Sequence, residues 1–341
     1  MKILIVTKNW IGDLLFQLPA IEAICRHYSE AEITCVVPSR CKEMLSGNEM
    51  IANILVFDER KEHKKIIDRI RFIRDLRKEK WEKVFLFHPS KTRALIMLLA
   101  GVERRIGFDL KKGSFLTDKI KAPSEPMHQV DYFLKLIEGV GIKPEKRKYS
   151  LSVSYNDESQ AKGILKESKI QPNQFVCFHL GANWEPKRWP IENFARLAEL
   201  LFKQTNFQIV VTGAERDSIL ALALQKLVPS EKLRVFTGKT SLNLLAAVFK
   251  QAAFVVSGDS GPMHIAVAVG TKNVALFGPT DPALTGPRGI GDSIVISYVP
   301  SGYRVPFYDQ ALPKDGWLGK ISAEQVFEQI RLKGWLINER V

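Results

Sequence analysis

Two short stretches place polar side chains where they could do chemistry. In "NWIGD" a carboxylate, Asp13, follows Gly12 just after the apolar run Ile3 to Val6 has ended. Helical apolar spacing then begins at Leu14, Leu15, Leu18 and Ile21. A carboxylate on such an exit loop can take a proton from an attacking hydroxyl, because an aspartate is ionised at neutral pH. The plain structural alternative is a capping or first-turn aspartate favoured by the helix dipole. In "FVVSGDSGPMHIAVAVGTKNVALFGPTDP" a buried strand is expected to end in Ser257, Gly258, Asp259, Ser260 and Gly261, with a helix opening near Pro262. Gly261 would let backbone amides at that helix N-terminus approach an anion, a favourable place for phosphate. His264, in the same turn, is expected to reach the phosphate, and Asp259 to accept from a sugar or ribose hydroxyl. A capping aspartate and a core histidine are the bland alternatives.

Three further strand exits carry polar groups. "HLGANWEPKRWP" offers Lys187 and Arg188 to phosphate charge, "TGAERD" offers Glu215 or Asp217 to a ribose, and "TGKTS" offers Thr240. Four glycine-bearing exits on one edge of one domain suit a nucleotide diphosphate better than four unrelated turns. The sequence has no GxGxxG after its first strand and no P-loop, which disfavours a nicotinamide-dependent oxidoreductase. It also lacks a DxD motif at a strand end.

The elements that must position these loops alternate. Strands are expected near Lys2–Val6, Glu32–Val37, Ile54–Phe57, Lys83–Phe87 and Arg105–Phe108, with helices between them and another near Gln129–Glu138. The polar stretch "GIKPEKRKYSLSVSYNDES" breaks the pattern and reads as a linker. Alternation resumes with strands near Phe175–His179, Gln208–Thr212, Arg234–Phe236, Phe254–Val256, Val274–Phe277 and Ser293–Ile296. This predicts an α/β chain of two doubly wound Rossmann-like domains, residues 1–150 and 151–341, facing a central cleft. A C-terminal helix is allowed to pack back on the first domain. In such sheets ligands bind outside the carboxyl ends of the strands, where all these loops lie.

Composition is that of a globular protein: 341 residues, 45% hydrophobic and 26% charged. No apolar run approaches the ~20 residues of a membrane span, and no secretory signal pattern opens the chain, so a cytoplasmic location is expected. Cys25, Cys35, Cys41 and Cys177 form no CxxC pair and read as buried reduced thiols. The net charge of +13 implies an anionic partner. Much of it sits between Arg60 and Lys83, where eleven Lys or Arg face five Asp or Glu. Ile66, Ile67, Ile70, Ile73 and Leu76 recur there at helical spacing and predict a core-facing stripe with a basic opposite face. Such a helix is either a solvated outer helix or a docking surface for anionic lipid head groups. Nucleic acid is disfavoured, because no binding motif accompanies the charge.

Taken in order, "NWIGD", "HPSKTRALIMLLAGVERRIGF", "GANWEPKRWP", "TGKTS" and "SGDSGPMHIAVAVGTKNVALFGPTDP" resemble the heptosyltransferases of the lipopolysaccharide inner core, glycosyltransferase family 9. The likeness runs from the first strand to about residue 282 and thins beyond it. It implies a GT-B fold, an ADP-heptose donor held by the C-terminal domain, an acceptor held by the N-terminal domain, and inverting, metal-independent transfer with no cofactor. It also implies that Asp13 is the general base, that Lys187 contacts donor phosphate, and that the donor-binding "DSGxMH" pattern falls on Asp259, Ser260, Gly261, Met263 and His264. By the same alignment Asp217 is preferred over Glu215 as the ribose carboxylate. The acceptor, an anionic lipid A–Kdo type molecule at the cytoplasmic face of the inner membrane, is then expected to meet Arg60 and Lys64 in the basic stretch, together with Lys91 and Arg93. A GT-B enzyme using another nucleotide sugar, an epimerase, and a non-catalytic nucleotide-sugar-binding protein are the alternatives.

Overall fold

The computed structural model describes residues 1–109, 115–305 and 317–336. The chain divides into two compact units, Met1–Tyr149 and Ser150–Val341. The first unit contains, in order, β1 (Lys2–Val6), α1 (Ile11–His27), β2 (Glu32–Val37), β3 (Asn53–Val56), α2 (Ile66–Leu76), β4 (Lys83–Leu86), α3 (Lys91–Leu99), β5 (Arg104–Asp109), β6 (Asp118–Lys121) and α4 (Gln129–Glu138). The second contains α5 (Tyr155–Glu167), β7 (Phe175–His179), α6 (Ile191–Gln204), β8 (Gln208–Thr212), α7 (Ser218–Gln225), β9 (Leu233–Val235), α8 (Leu242–Gln251), β10 (Phe254–Gly258), α9 (Gly261–Ala268), β11 (Asn273–Phe277), α10 (Pro282–Thr285), β12 (Ser293–Ser297) and α11 (Ala323–Leu332).

Each unit is built on a six-stranded sheet, ordered β3-β2-β1-β4-β5-β6 in the first and β12-β11-β10-β7-β8-β9 in the second. All ten strand pairs are parallel. Counted from its own first strand, the second sheet has the same order as the first. The central strands read as unbroken apolar runs because helices cover both faces. Ile3, Leu4, Ile5 and Val6 of β1 and Phe254, Val255 and Val256 of β10 are at most 1% exposed. The edge strand β6, "DKIK", instead alternates half-buried and exposed residues.

Serine side chains fix where several helices begin. Ser90, Ser241 and Ser260 precede α3, α8 and α9, and each hydroxyl accepts the backbone N–H three residues on. Caps of this kind contribute about 1 kcal/mol each. They also set the helix starts at the sheet edge where the exit loops emerge.

Helix α2 departs from the expected stripe. Leu76 is buried and Phe72 and Ile73 pack on the first core, but Ile66, Ile67 and Ile70 are 71%, 47% and 52% exposed. The inward register runs through Arg69, Phe72, Ile73 and Leu76, and the guanidinium of Arg69 turns back to the His63 carbonyl at 2.9 Å. The last described helix, α11, packs on α6 of its own unit, where Arg196 Nε meets Glu324 Oε1 at 2.7 Å.

Candidate functional site

In the second sheet β7 and β10 are neighbours from which the chain winds away in opposite directions. This is the switch point where a parallel α/β sheet leaves a crevice at its carboxyl edge. Lys187 comes from the loop after β7 and Asp259 from the loop after β10, and they meet with Lys187 Nζ 2.5 Å from Asp259 Oδ2. The hydroxyl of Thr280, after β11, donates to the same oxygen at 2.7 Å. His264 on α9 places Nε2 3.8 Å from the other carboxylate oxygen. Burial alone would raise the pKa of Asp259. The His264 imidazole and the Lys187 ammonium outweigh it and hold the carboxyl well below the usual carboxylate range.

Two of the expected donor residues have partners inside the protein. Asp259, 6% exposed, spends its charge inside the protein as the anchor of an ammonium. His264, 3% exposed, faces that carboxylate. Lys187 keeps 22% of its side chain exposed and has three donors, so it can hold Asp259 and still reach an anion. Met263 is fully buried in a small cluster with Val267, Ala275 and Phe277, so its side chain supports α9 from beneath. Ser260 is the N-cap of α9, and Gly261 is its first residue, so the helix amides open at the same edge as Lys187.

The Lys187 loop is held by its own sequence. Trp189, 2% exposed, donates its indole N–H to the Ile321 carbonyl at 2.8 Å. Arg188 bonds the Ala182 carbonyl through Nε and Nη2 at 3.2 and 3.1 Å, bracing the loop where the sequence suggested a phosphate contact. The backbone passes so close to β10 that a Cβ on Gly258 would lie 2.1 Å from the Lys187 carbonyl oxygen. Only glycine fits there.

After β8 the two acidic candidates separate. Asp217 is 4% exposed and its Oδ2 accepts the Ala214 N–H at 2.9 Å. Its carboxylate also closes against Gly181. Asp217, expected as the ribose carboxylate, thus braces its own loop. Glu215 is exposed and lies against Gly238, whose φ of +74° and bare Cα both suit glycine. Thr240, half-buried, sits just before the Ser241 cap of α8. His179, buried beside Thr212 Oγ1 at 3.1 Å, is pushed down to about 4 by burial and is therefore neutral.

The first sheet has its own switch point, between β1 and β4. Asp13 lies in the first turn of α1 but is not its N-cap, a position held by Trp10 with no side-chain cap bond. Its Oδ1 is 3.3 Å from Lys8 Nζ, and its side chain is 23% exposed. The loop that presents it is tied to the β4 exit. Arg93, 2% exposed, donates to the Thr7 carbonyl at 2.8 Å and to Asn9 Oδ1 at 2.7 Å, with Glu59 Oε2 3.5 Å from its Nε. Asn9 Nδ2 is 3.1 Å from His88 Nε2. Burial, aided by Arg93 and Lys8, pushes His88 down to about 3, so the ring is neutral and accepts from the Asn9 amide. Arg93, expected at the acceptor, is thus buried and holds the loop that presents Asp13. Arg60, Lys64 and Lys91 are exposed as expected. Lys91 and His88 line, with Phe87, Phe108 and Tyr132, a cavity of about 300 Å³ at the carboxyl ends of β4 and β5.

Sequence reasoning missed Thr280, Lys8, Asn9 and His88. Thr280 closes the "FGPT" stretch, Asn9 opens "NWIGD" and His88 opens "HPSKTR", and nothing in their spacing reports partners 21 and 79 residues away. Lys8 immediately precedes "NWIGD" and pairs with Asp13 five residues on. Among the described residues no helix is long and apolar enough to cross a membrane.

Residues 69–304 match the profile of glycosyltransferase family 9 (heptosyltransferase). Similar curated proteins include lipooligosaccharide heptosyltransferase 2 of Haemophilus influenzae, 27% identical over 84% of this chain and 86% of that protein. Another is lipopolysaccharide heptosyltransferase 2 of Escherichia coli, 24% identical over 97% of both. Among solved structures, a family 9 glycosyltransferase of Veillonella parvula superposes with a TM-score of 0.84 at 21% identity, covering 98% of this chain and 97% of that one. The Escherichia coli ADP-heptose lipopolysaccharide heptosyltransferase II superposes with a TM-score of 0.80 at 24% identity and 99% coverage of both. The two parallel six-stranded sheets are thus those of a GT-B glycosyltransferase. The chain belongs to glycosyltransferase family 9, the heptosyltransferases.

Proposed function

We propose that this glycosyltransferase moves a heptose from ADP-heptose to the inner core of lipopolysaccharide, with inversion and without a metal. Its relatives are named for heptose transfer to lipopolysaccharide or lipooligosaccharide. The observation that carries the reading here is the Lys187–Asp259 pair at the β7/β10 switch point, beside the N-terminus of α9. A diphosphate leaving group needs positive potential as the glycosidic bond breaks. An oriented ammonium and helix amides supply it without reorganisation.

The reaction is a single displacement. The acceptor hydroxyl oxygen bonds to the anomeric carbon of the heptose while the bond to the ADP oxygen breaks on the opposite face. Asp13 takes the hydroxyl proton, a contribution of typically ~10²–10⁴-fold. The electron pair of the broken bond stays on ADP, whose charge is met by Lys187 and the α9 amides. Glu215, the exposed carboxylate after β8, takes the ribose hydroxyls. Exposed Arg60, Lys64 and Lys91 receive an anionic lipid A–Kdo type acceptor, in peripheral contact with the cytoplasmic face of the inner membrane.

The test is incubation with ADP-heptose and a heptose-free lipid A–Kdo acceptor, reading product mass and linkage. One added heptose in the inverted configuration supports the reading. Product only with another nucleotide sugar, or none with any donor, rejects it.

A further inference from the structure

Helix α2 carries two apolar faces, and among the described residues only one of them packs on the core. Phe72, Ile73 and Leu76 pack on the first core. Ile66, Ile67 and Ile70 gather on the other side, within about 100° of arc at 100° per residue, and all three stand in solvent. Cations surround them: Lys64 and Lys65 precede the triplet, and Arg71, Arg74 and Arg77 follow it, all exposed. An isolated exposed isoleucine needs no explanation, but three adjacent ones rimmed by cations on a helix too short to span a bilayer fit one environment well. That environment is the boundary between anionic head groups and acyl chains.

We propose that Ile66, Ile67 and Ile70 form a wedge that seats α2 in the interfacial layer of an anionic bilayer, with Lys64, Lys65, Arg71 and Arg74 on the head groups. Charge complementarity selects the occupant. The segment from Arg60 to Lys83, with eleven Lys or Arg against five Asp or Glu, is net positive, so it repels a second copy of itself, and its exposed cations attract anionic lipid at ~1 kcal/mol per cation near the surface. The placement also serves the site. The segment Asp58–Lys65 leaves the carboxyl end of β3 and leads directly into the wedge, and Glu59 within it contacts Arg93, which shapes the Asp13 loop. The wedge thus begins at the same sheet edge as Asp13. Its biological purpose rests on the reading of a lipid-borne acceptor, but its test needs neither donor nor acceptor.

The experiment is co-sedimentation of the full chain with vesicles of phosphatidylglycerol and phosphatidylcholine, and with phosphatidylcholine alone. The triple variant Ile66→Ser, Ile67→Ser, Ile70→Ser is compared with the native chain and with Lys64→Ala, Lys65→Ala, Arg74→Ala. The serine variant should bind anionic vesicles at least about tenfold more weakly, since each lost side chain removes apolar burial. Raising salt should abolish the difference between the two vesicle types but leave a residual binding that only the serine variant lacks. A dye on Ile67→Cys should shift to the blue with anionic vesicles. Unchanged vesicle binding by a serine variant with a native melting curve overturns the proposal, as does a dye that stays in water. A concentration-dependent dimer lost in that variant would also overturn it, assigning the patch to self-association. Transfer to a soluble, delipidated acceptor should be unaltered by the three serines, so a failed wedge and a failed transferase reading give different results.

Discussion

Asp259 holds the Lys187 ammonium at 2.5 Å across 72 residues of sequence, joining the loops that leave the two central strands of the second sheet. The pair fixes where positive charge stands at the carboxyl edge of that sheet. The bare Gly258 and the buried Trp189 indole fix the backbone behind it. A surface lysine would have to be ordered by its ligand; this one is ordered before any ligand arrives, which reduces the entropy lost on binding.

Replacing Asp259 by Asn should therefore act through Lys187. Loss of one partner from a buried charge pair costs at least about 2 kcal/mol at neutral pH. The sign with pH follows from the lowered pKa. A carboxyl depressed in the folded state contributes stability above its unfolded value near 3.8, and loses it as pH falls toward the folded value. Thermal melts should show the gap between native and Asp259→Asn chains constant from pH 5 to 7 and shrinking below about pH 4. A gap independent of pH would show that the Asp259 charge does not stabilise the fold. Lys187→Ala should weaken ADP binding or lower kcat, according to whether its contact tightens as charge develops, and calorimetry with ADP separates the two.

The fold was legible because its strands are buried on both faces and so appear as apolar runs; β1, β2, β7 and β8 end where their sequence patterns end. The edge strand β6 was not, because "DKIK" has the composition of a loop and becomes a strand only by pairing with β5. The exit loops were legible as a set, since glycine and polar residues mark them. Which polar residue faces outward was not. Asp217 and Glu215 are two positions apart, and only the turn between β8 and α7 decides that one braces the loop and the other is exposed. Arg93 is a second case: beside Lys91 it reads as a surface cation, whereas two positions further along α3 its side chain turns into the core.

For Asp13, substitution by Asn keeps size and hydrogen-bonding shape and removes the base. Turnover should fall by ~10²–10⁴-fold while donor affinity, measured by calorimetry with ADP, stays within about twofold. A variant with near-native turnover would remove Asp13 from the chemistry.

The four thiols offer a check on packing. Cys25, Cys35, Cys41 and Cys177 are buried and free. Burial pushes Cys25 up to about 11 and Cys41 up to about 12, and raises the other two as well. Little thiolate exists at pH 8, so a chromogenic disulfide reagent should titrate almost none in the native protein and all four after denaturation. Rapid native reaction of any of them would contradict the placement of its strand or helix.

Arg93 and Lys91 provide the sharpest contrast between shaping a site and binding a ligand. Arg93 donates to Thr7 and Asn9 from the core, so Arg93→Lys, which retains charge but loses the planar fork, should release the Asp13 loop. It should lower kcat and cost about 2 kcal/mol of stability, as loss of hydrogen bonds to a buried charged group does. The acceptor KM and its salt dependence should change little. Lys91, exposed beside the cavity after β4, should behave in the opposite way. Lys91→Ala should raise the acceptor KM several-fold at low salt, leave stability within about 0.5 kcal/mol, and lose its effect as salt screens the surface. If Arg93→Lys instead raised the acceptor KM with kcat and melting temperature unchanged, the guanidinium would be reading the acceptor, and the buried bracket would have to open in the working enzyme.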